Sequence, residues 1–306
     1  MSVIRNVHER TVRASAAAVG ALLDRLSSDD DPVFPVPAWS PMRFDRPLGV
    51  GATGGHGPVR YSVTAYEPGR RVRFDFTAPD NGFHELTVEP LTDERCRVRH
   101  VLEAELRGVK RLRWDAVIRP VHDVMVEELF DNIERLTTGP VADPVRWSPR
   151  VRLLNRLGWD RPVAVGFPAG ARLVRTAVDW FDEADYRDAY AMELPPGMPL
   201  DPVAWEGVLR GIPITDRAER EIVLGQDAGH LDFRASLLVD AEARRVTLSS
   251  VVRVHPKARG RLYWAVVSRV HPFMARMMLR RTHRRLALAA PSAAEREVRA
   301  RAAATG

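Results

Sequence analysis

Cysteine occurs once in 306 residues, at Cys96, so no disulfide can form within the chain and a reducing cytoplasm is the expected compartment. Lysine is nearly absent too, with Lys110 and Lys257 alone, and arginine carries the positive charge; that balance suits a GC-rich bacterial genome. No apolar run reaches the ~18 residues of a membrane span, so the chain is not expected to be transmembrane. The opening M-S-V-I-R-N-V-H-E-R lacks the apolar stretch of a signal peptide. There is no nucleophile elbow, no H-E-x-x-H, no P-loop and no zinc-finger, homeodomain or RNA-binding signature. No cofactor, metal or nucleic-acid partner is therefore expected. Gly49-Val50-Gly51-Ala52-Thr53-Gly54 does satisfy G-x-G-x-x-G. A dinucleotide site needs a helix next, however, and here Pro58 and a strand pattern follow. A flexible loop that gates a pocket is the better expectation.

What the chain does contain is a repeat. Arg97–Leu136 recurs without a gap 150 positions later as Thr247–Leu286, with nine of forty positions identical, Trp114/Trp264 and Leu129/Leu279 among them. A repeat this long means two copies of a domain, since solenoid units are roughly 20–50 residues. Charge divides unevenly between the halves: residues 1–140 hold 19 Arg or Lys against 21 Asp or Glu, and residues 141–306 hold 27 against 19. The basic character belongs to the second half.

Strand patterns run at Arg5–Val12, Val59–Tyr66, Val72–Thr77, Phe83–Pro90 and Arg97–Glu105, and a helix capped by Ser15 follows the first. A long apolar stripe from Arg111 to Leu136 predicts a closing helix, kinked at Pro120. The second copy repeats the order: Tyr186–Leu194, a helix near Asp201-Pro202, strands at Ala218–Leu224, His230–Val239 and Val246–His255, then a helix from Gly260 to about Leu288. Pairing Pro90 with Cys96 sets Leu86 opposite His100 and His84 opposite Leu102 on the apolar face, with Glu89 opposite Arg97 on the other. His84 and His100 should thus point inward. In the second copy, Val239 opposite Val246 makes one face apolar. The other face holds Asp232 opposite Arg253 and His230 opposite His255, with Arg234 alongside. A guanidinium beside Asp232 competes with a metal, so an ion pair is expected there.

A strand, a helix, an antiparallel sheet and one long closing helix make the helix-grip, or START-like, layout. Residues 1–140 resemble the SRPBCC superfamily, in the group labelled polyketide cyclase/dehydrase. The carriers are W-S-P-M-R-F, G-V-G-A-T-G-G-H-G, V-R-Y-S-V-T-A-Y-E-P-G-R-R-V-R-F and R-P-V-H-D-V-M-V-E-E-L. Residues from about 160 to 288 resemble a domain-of-unknown-function family through A-D-Y-R-D-A-Y, L-G-Q-D-A-G-H-L-D-F-R, V-V-R-V-H-P, G-R-L-Y-W and H-P-F. The expected architecture is α+β with tandem helix-grip domains. Residues 1–140 form the first, 141–184 a connector with a short helix, 185–290 the second, and 291–306 a disordered tail. The expected function is binding of a small, largely apolar molecule in a cavity lined by Trp39, Tyr61, His84, His100 and Trp114. A cyclase or dehydratase using the cavity histidines as acid and base stands beside it, as does a non-catalytic interaction module. In the second domain, His230, Asp232, Arg234, Arg253 and His255 form the candidate polar cluster. The acidic Glu127, Glu128 and Asp131 and the basic Arg276, Arg280 and Arg284 suggest domain–domain or homo-oligomer docking.

Overall fold

The computed structural model describes residues 2–78, 81–255 and 258–305, the side chains of 2, 258–263 and 305 excepted, so most of the G-R-L-Y-W motif lies outside the described side chains. The chain divides into two compact units, 1–158 with 291–306, and 159–290. Both are α+β helix-grip folds, as the alternating strands and the striped closing helices predict.

In unit 1, β1 (Ser2–Val12) and α1 (Ala16–Leu23) precede β2 (Arg43–Phe44), β3 (Thr53–His56), β4 (Val59–Glu67), β5 (Arg71–Phe76), β6 (Gly82–Thr92) and β7 (Arg95–Leu106). The antiparallel sheet is ordered β1-β7-β6-β5-β4-β3-β2, so the first strand pairs with the last. The β6–β7 register is the expected one, with Leu86 opposite His100, His84 opposite Leu102, and Arg97 within 3.8 Å of Glu89. Ser15 caps α1 by accepting from the Ala18 N–H. Gly20 lets α1 approach the β4–β5 turn: a Cβ there would meet the Gly69 carbonyl oxygen at 2.2 Å. The glycine-rich segment is not a gating loop. Gly54 sits within β3, where a Cβ would meet the Arg43 carbonyl oxygen at 2.0 Å, so the glycine serves close strand packing.

The closing helix of unit 1 comes in three parts: α2 (Val109–Arg113), a π-helical turn (Trp114–Ile118) and α3 (Arg119–Thr138). Proline lacks an N–H, so Pro120 leaves carbonyls of the preceding turn without their helical donor. Arg150, on α4 (Pro149–Gly158), supplies one: its guanidinium donates to the carbonyls of Ala116 at 2.6 Å and Asp115 at 3.3 Å. Val126, Leu129, Phe130, Ile133 and Leu136 of α3 bury against Val63, Val72, Phe74, Leu86, Val88 and Val98 of the sheet.

The tail is a correction. Residues Ala293–Thr305 form α7, not a disordered end. Ser292 and Glu295 make a capping box: the Ser292 hydroxyl accepts from the Glu295 N–H, and the Glu295 carboxylate accepts from the Ser292 N–H. Ala294 and Val298 pack into the unit 1 core, and Glu297 holds Arg25. The 141–184 connector also divides, since α4 belongs to unit 1 and residues from 159 onward to unit 2.

Unit 2 holds β8 (Val163–Ala164), α5 (Leu173–Thr176), β9 (Tyr186–Glu193), a 3-10 turn (Pro202–Val208), β10 (Ile214–Arg217), β11 (Glu221–Asp227), β12 (Leu231–Asp240), β13 (Arg245–Val254) and α6 (Ala258–Ala289). The single strand expected at Ala218–Leu224 is a hairpin, β10 and β11. Its sheet order, β10-β11-β12-β13-β9-β8, repeats β4-β5-β6-β7-β1 of unit 1 and adds β8 at the far edge. In each closing helix the tryptophan contacts a histidine about two turns on, Trp114 with His122 and Trp264 with His271, at ring-centroid distances of 5.8 and 6.1 Å. Residues before β9 cover the second face of this sheet, where Val174, Val178, Trp180 and Phe181 pack on Val223 and Val251. Both faces are therefore buried, which explains why Ser236, Ser249 and Asp232, on this second face, are buried as well.

Arg150→Ala should lower the stability of unit 1 by about 0.5–1.5 kcal/mol. Pro120→Ala restores an N–H to the turn, so in the Pro120→Ala background the same change should cost less. Urea unfolding of the four proteins gives the coupling directly; additive losses would show that Arg150 does not stand in for the missing donor.

Candidate functional site

The interior of unit 1 is polar where a helix-grip core is ordinarily apolar. His84 on β6, His100 on β7 and His122 on α3 are buried, with ring centroids 5.0–5.3 Å apart. His84 Nδ1 and His100 Nε2 lie 3.0 Å apart, so one ring donates to the other. One ring nitrogen from each of the three lies within 4.8 Å of the others. Neither nitrogen of His122, nor Nδ1 of His100, has a hydrogen-bond partner among the described residues. Burial pushes all three below the ordinary histidine value of 6.5, His84 and His100 well below it, so the cluster is neutral near pH 7. Tyr61, Phe76 and Trp114 wall it with rings at 5.4, 5.0 and 5.8 Å. The Tyr61 hydroxyl bonds His56 at 3.0 Å, and burial brings His56 down to about 4.

A ladder of polar bonds between β1 and α3 sets the rotation of the helix. Asn6 donates to Asp123 at 2.9 Å. His8 bonds Asp123 at 3.1 Å and Glu127 at 2.7 Å. Arg10 donates to Glu127 at 2.7 Å, Asp131 at 2.6 Å and Glu134 at 3.3 Å. Strand residues two apart are separated by roughly 6.8 Å and helix residues four apart by roughly 6.0 Å, so 6, 8, 10 and 123, 127, 131 stay nearly in step. Burial opposes charge on His8, but its bonds to Asp123 and Glu127 outweigh burial and push it up to about 9. Asp123 follows the same balance in reverse: burial would raise it, yet the nearby His122 ring, 3.8 Å away, and the bonds from His8 and Asn6 hold it well below the usual carboxylate range.

Four of the five residues expected to line a cavity come together here: Tyr61, His84, His100 and Trp114. Trp39 does not join them. It stacks on Trp147 at 5.0 Å, and both indole N–H groups donate to the Glu128 carboxylate. The cluster is also buried. A cleft of about 580 Å³ lies instead beside Arg13, Ala14, Ser15, Asp93, Glu94 and Arg95, at the β6–β7 turn, and its lining is charged. His122, His8 and Asp123 were missed from sequence. Pairing β1 with β7 would have found His8, which sits directly opposite His100.

The acidic residues assigned to docking have partners inside their own unit: Glu127 with His8 and Arg10, Glu128 with the two tryptophans, Asp131 with Arg10 and the Val145 N–H. Arg280 likewise donates to the Trp159 and Asp160 carbonyls, and Arg276 lies over the Tyr190 ring at 4.6 Å. In the second-domain cluster, Asp232 is buried and accepts from Arg253 at 2.8 Å, with His255 at 3.1 Å. Arg234 is not part of it, pairing with Asp227 at 2.6 Å, and His230 joins the strand end through its carbonyl, which accepts from the His255 N–H. At the place in unit 2 that corresponds to the histidines, Asp188, Ser250 and Phe233 stand for His8, His100 and His84 by register. His271 bonds Ser250 at 3.1 Å there.

Asp131→Ala removes one of the three carboxylates that hold Arg10 and the acceptor of the Val145 N–H, and should cost about 1–3 kcal/mol in urea unfolding with no change of native mass; an unchanged midpoint would remove the ladder's structural role. Asp232 carries a pH signature. Burial would raise its carboxyl above 3.8, but the bonds from His255 and Arg253 hold it lower. Its stabilisation is thus complete above that ordinary value and is lost as pH falls through the lowered one. Asp232→Asn should cost about 1–3 kcal/mol at pH 7, and the gap to wild type should close on acidification toward pH 3.

No curated protein sequence matches the chain. Among solved structures, a protein from Thermobifida fusca is 21% identical, with a TM-score of 0.35 over 44% of this chain and 95% of that one. Norcoclaurine synthase from Thalictrum flavum, solved with dopamine and hydroxybenzaldehyde, is 14% identical, with a TM-score of 0.36 over 44% of this chain and 86% of that one. CalU16 from Micromonospora echinospora is 12% identical, with a TM-score of 0.34 over 51% of this chain and 91% of that one. At these identities and scores they carry no argument about chemistry. A family match is more informative: it opens inside the closing helix of unit 1, well before the 160–288 stretch that carried the resemblance, and takes in His122 and Asp123. Spanning residues 112–278, more than half of the chain, it shows that the protein belongs to the family described as protein of unknown function DUF2867.

Proposed function

We propose that unit 1 binds a small, largely apolar molecule of lipid, isoprenoid or polyketide type between its sheet and α3, with the buried histidines as polar contacts. The observation that carries this reading is His122. It is buried with both ring nitrogens unpaired among the described residues, beside the aromatic wall of Tyr61, Phe76 and Trp114. An unpaired buried polar group costs about 1–3 kcal/mol, and a ligand oxygen or hydroxyl would recover it. Apolar walls with a few convergent polar groups are what small-molecule sites are made of. Trp114 and His122 are buried, so entry requires one of them to move.

The 3.0 Å contact between His84 and His100 favours one second reading, an enzyme of the cyclase or dehydratase type. A neutral imidazole pair can accept a proton at one ring and release one at the other. The docking expected of the acidic residues loses support, because Glu127, Glu128 and Asp131 are engaged within unit 1.

Native mass spectrometry of the freshly purified chain, together with tryptophan fluorescence titrated with farnesol and with an aromatic polyketone, tests the binding reading. A one-to-one adduct and saturable quenching are expected, weakened about tenfold in Trp114→Ala, which is roughly 1.4 kcal/mol. Trp264→Ala should leave the affinity unchanged. No adduct and no saturable change with either probe would overturn it. Conversion of the polyketone that disappears in His100→Ala would favour the enzyme.

A further inference from the structure

We propose that His84, His100 and His122 are the three protein ligands of a divalent transition-metal site inside unit 1. Three neutral imidazoles converge from two strands and a helix, with one nitrogen of each within 4.8 Å of the others. Ligand atoms around a tetrahedral zinc, bonded at 2.0–2.1 Å, lie roughly 3.3 Å apart. His84 Nδ1 and His100 Nε2 are already at 3.0 Å. His122 closes the remaining distance by turning about its side-chain bonds. Binding an ion there would require the hydrogen between His84 Nδ1 and His100 Nε2 to move to the other nitrogen of the ring that carries it. The all-nitrogen set selects zinc and its neighbours over magnesium or calcium, which require oxygen ligands.

The surroundings supply what such a site needs. Asp123 Oδ1 lies 3.8 Å from His122 Nδ1, the place from which an outer carboxylate orients a ligating histidine and offsets charge. Asp123 is itself held by Asn6 and His8. A competing set of His8, His122 and Asp123 also lies within reach of one ion. It is disfavoured because both ring nitrogens of His8 are already bonded to carboxylates. Three protein ligands would leave a fourth coordination position in surroundings that include Tyr61, Phe76 and Trp114. Its occupant, a water or a carbonyl oxygen of the apolar ligand, is the one part of the inference that rests on the ligand-binding reading.

The full chain, stripped with a chelator and dialysed, is titrated with Zn²⁺ and with Co²⁺. One equivalent of Co²⁺ is expected to bind with the visible absorption of a four-coordinate ion and to raise Tm, because only the folded chain presents the site. His122→Phe, which keeps a ring in place, should weaken Co²⁺ at least a hundredfold, and Asp123→Asn about ten- to a hundredfold; His255→Ala in unit 2 should change nothing. The inference is overturned if the folded wild type binds no equivalent of either ion, or if folded His122→Phe binds as wild type does. Should that variant fail to fold, the X-ray absorption spectrum of the zinc-loaded wild type decides: three imidazoles support the site, and carboxylate oxygens among the ligands reject it. The stripped protein is also titrated with farnesol, which separates the two readings: probe binding without metal binding ends the metal site alone, and metal binding without probe binding ends the apolar-ligand reading alone.

Discussion

The polar ladder between β1 and α3 is the constraint on which the centre of unit 1 depends. Apolar contact sets which stripe of a helix meets a sheet but, having little directional preference, leaves the fine rotation of the helix some freedom. The bonds of Asn6, His8 and Arg10 to Asp123, Glu127 and Asp131 remove that freedom. With Asp123 held toward β1, the preceding residue is carried about 100° round the helix, and His122 faces His84 and His100. The acidic run at the C-terminal half of α3, unfavourable beside the helix dipole there, is thereby compensated from the strand.

Placing three imidazoles in one core is expensive unless something answers their nitrogens. They stay neutral, and one hydrogen bond joins two of them. Neither nitrogen of His122, nor Nδ1 of His100, has a hydrogen-bond partner among the described residues. Unit 2 shows the same frame without that chemistry. By register the corresponding strand positions hold Asp188, Ser250 and Phe233, and Pro272 stands where the repeat places His122, with His271 beside it bonded to Ser250. The repeat preserved the fold and the helix tryptophan while the interior diverged.

The fold was legible because its signals are local or periodic. Alternation along β6, β7, β12 and β13 set both hairpin registers, since a slip of one residue would have turned an apolar face to solvent. The repeat joined the two closing helices, and the pattern N-terminal to each supplied the rest. Segments that resisted were those whose structure depends on a partner. The tail carried a capping box at Ser292 and Glu295, yet its helix is anchored by Arg25 and the unit 1 core, which lie far away in sequence. The residues preceding β9 look like a linker because the surface they cover is a second face of a sheet that alternation marks as polar.

Sequence alone therefore determined the α+β class, the duplicated helix-grip plan, the inward direction of His84 and His100 and the pairing of Asp232 with Arg253. Each follows from strand parity or helical period, which act over a few residues. Tertiary structure decided that His122 completes the cluster, that Trp39 belongs to Glu128 and Trp147, and that the acidic stripe of α3 faces inward to Arg10 and His8. Periodicity shows which residues share a face. It does not show which face of a helix meets which strand, because that depends on pairings across more than a hundred residues, such as Arg10 with Asp131, whose geometry exists only once the chain has folded.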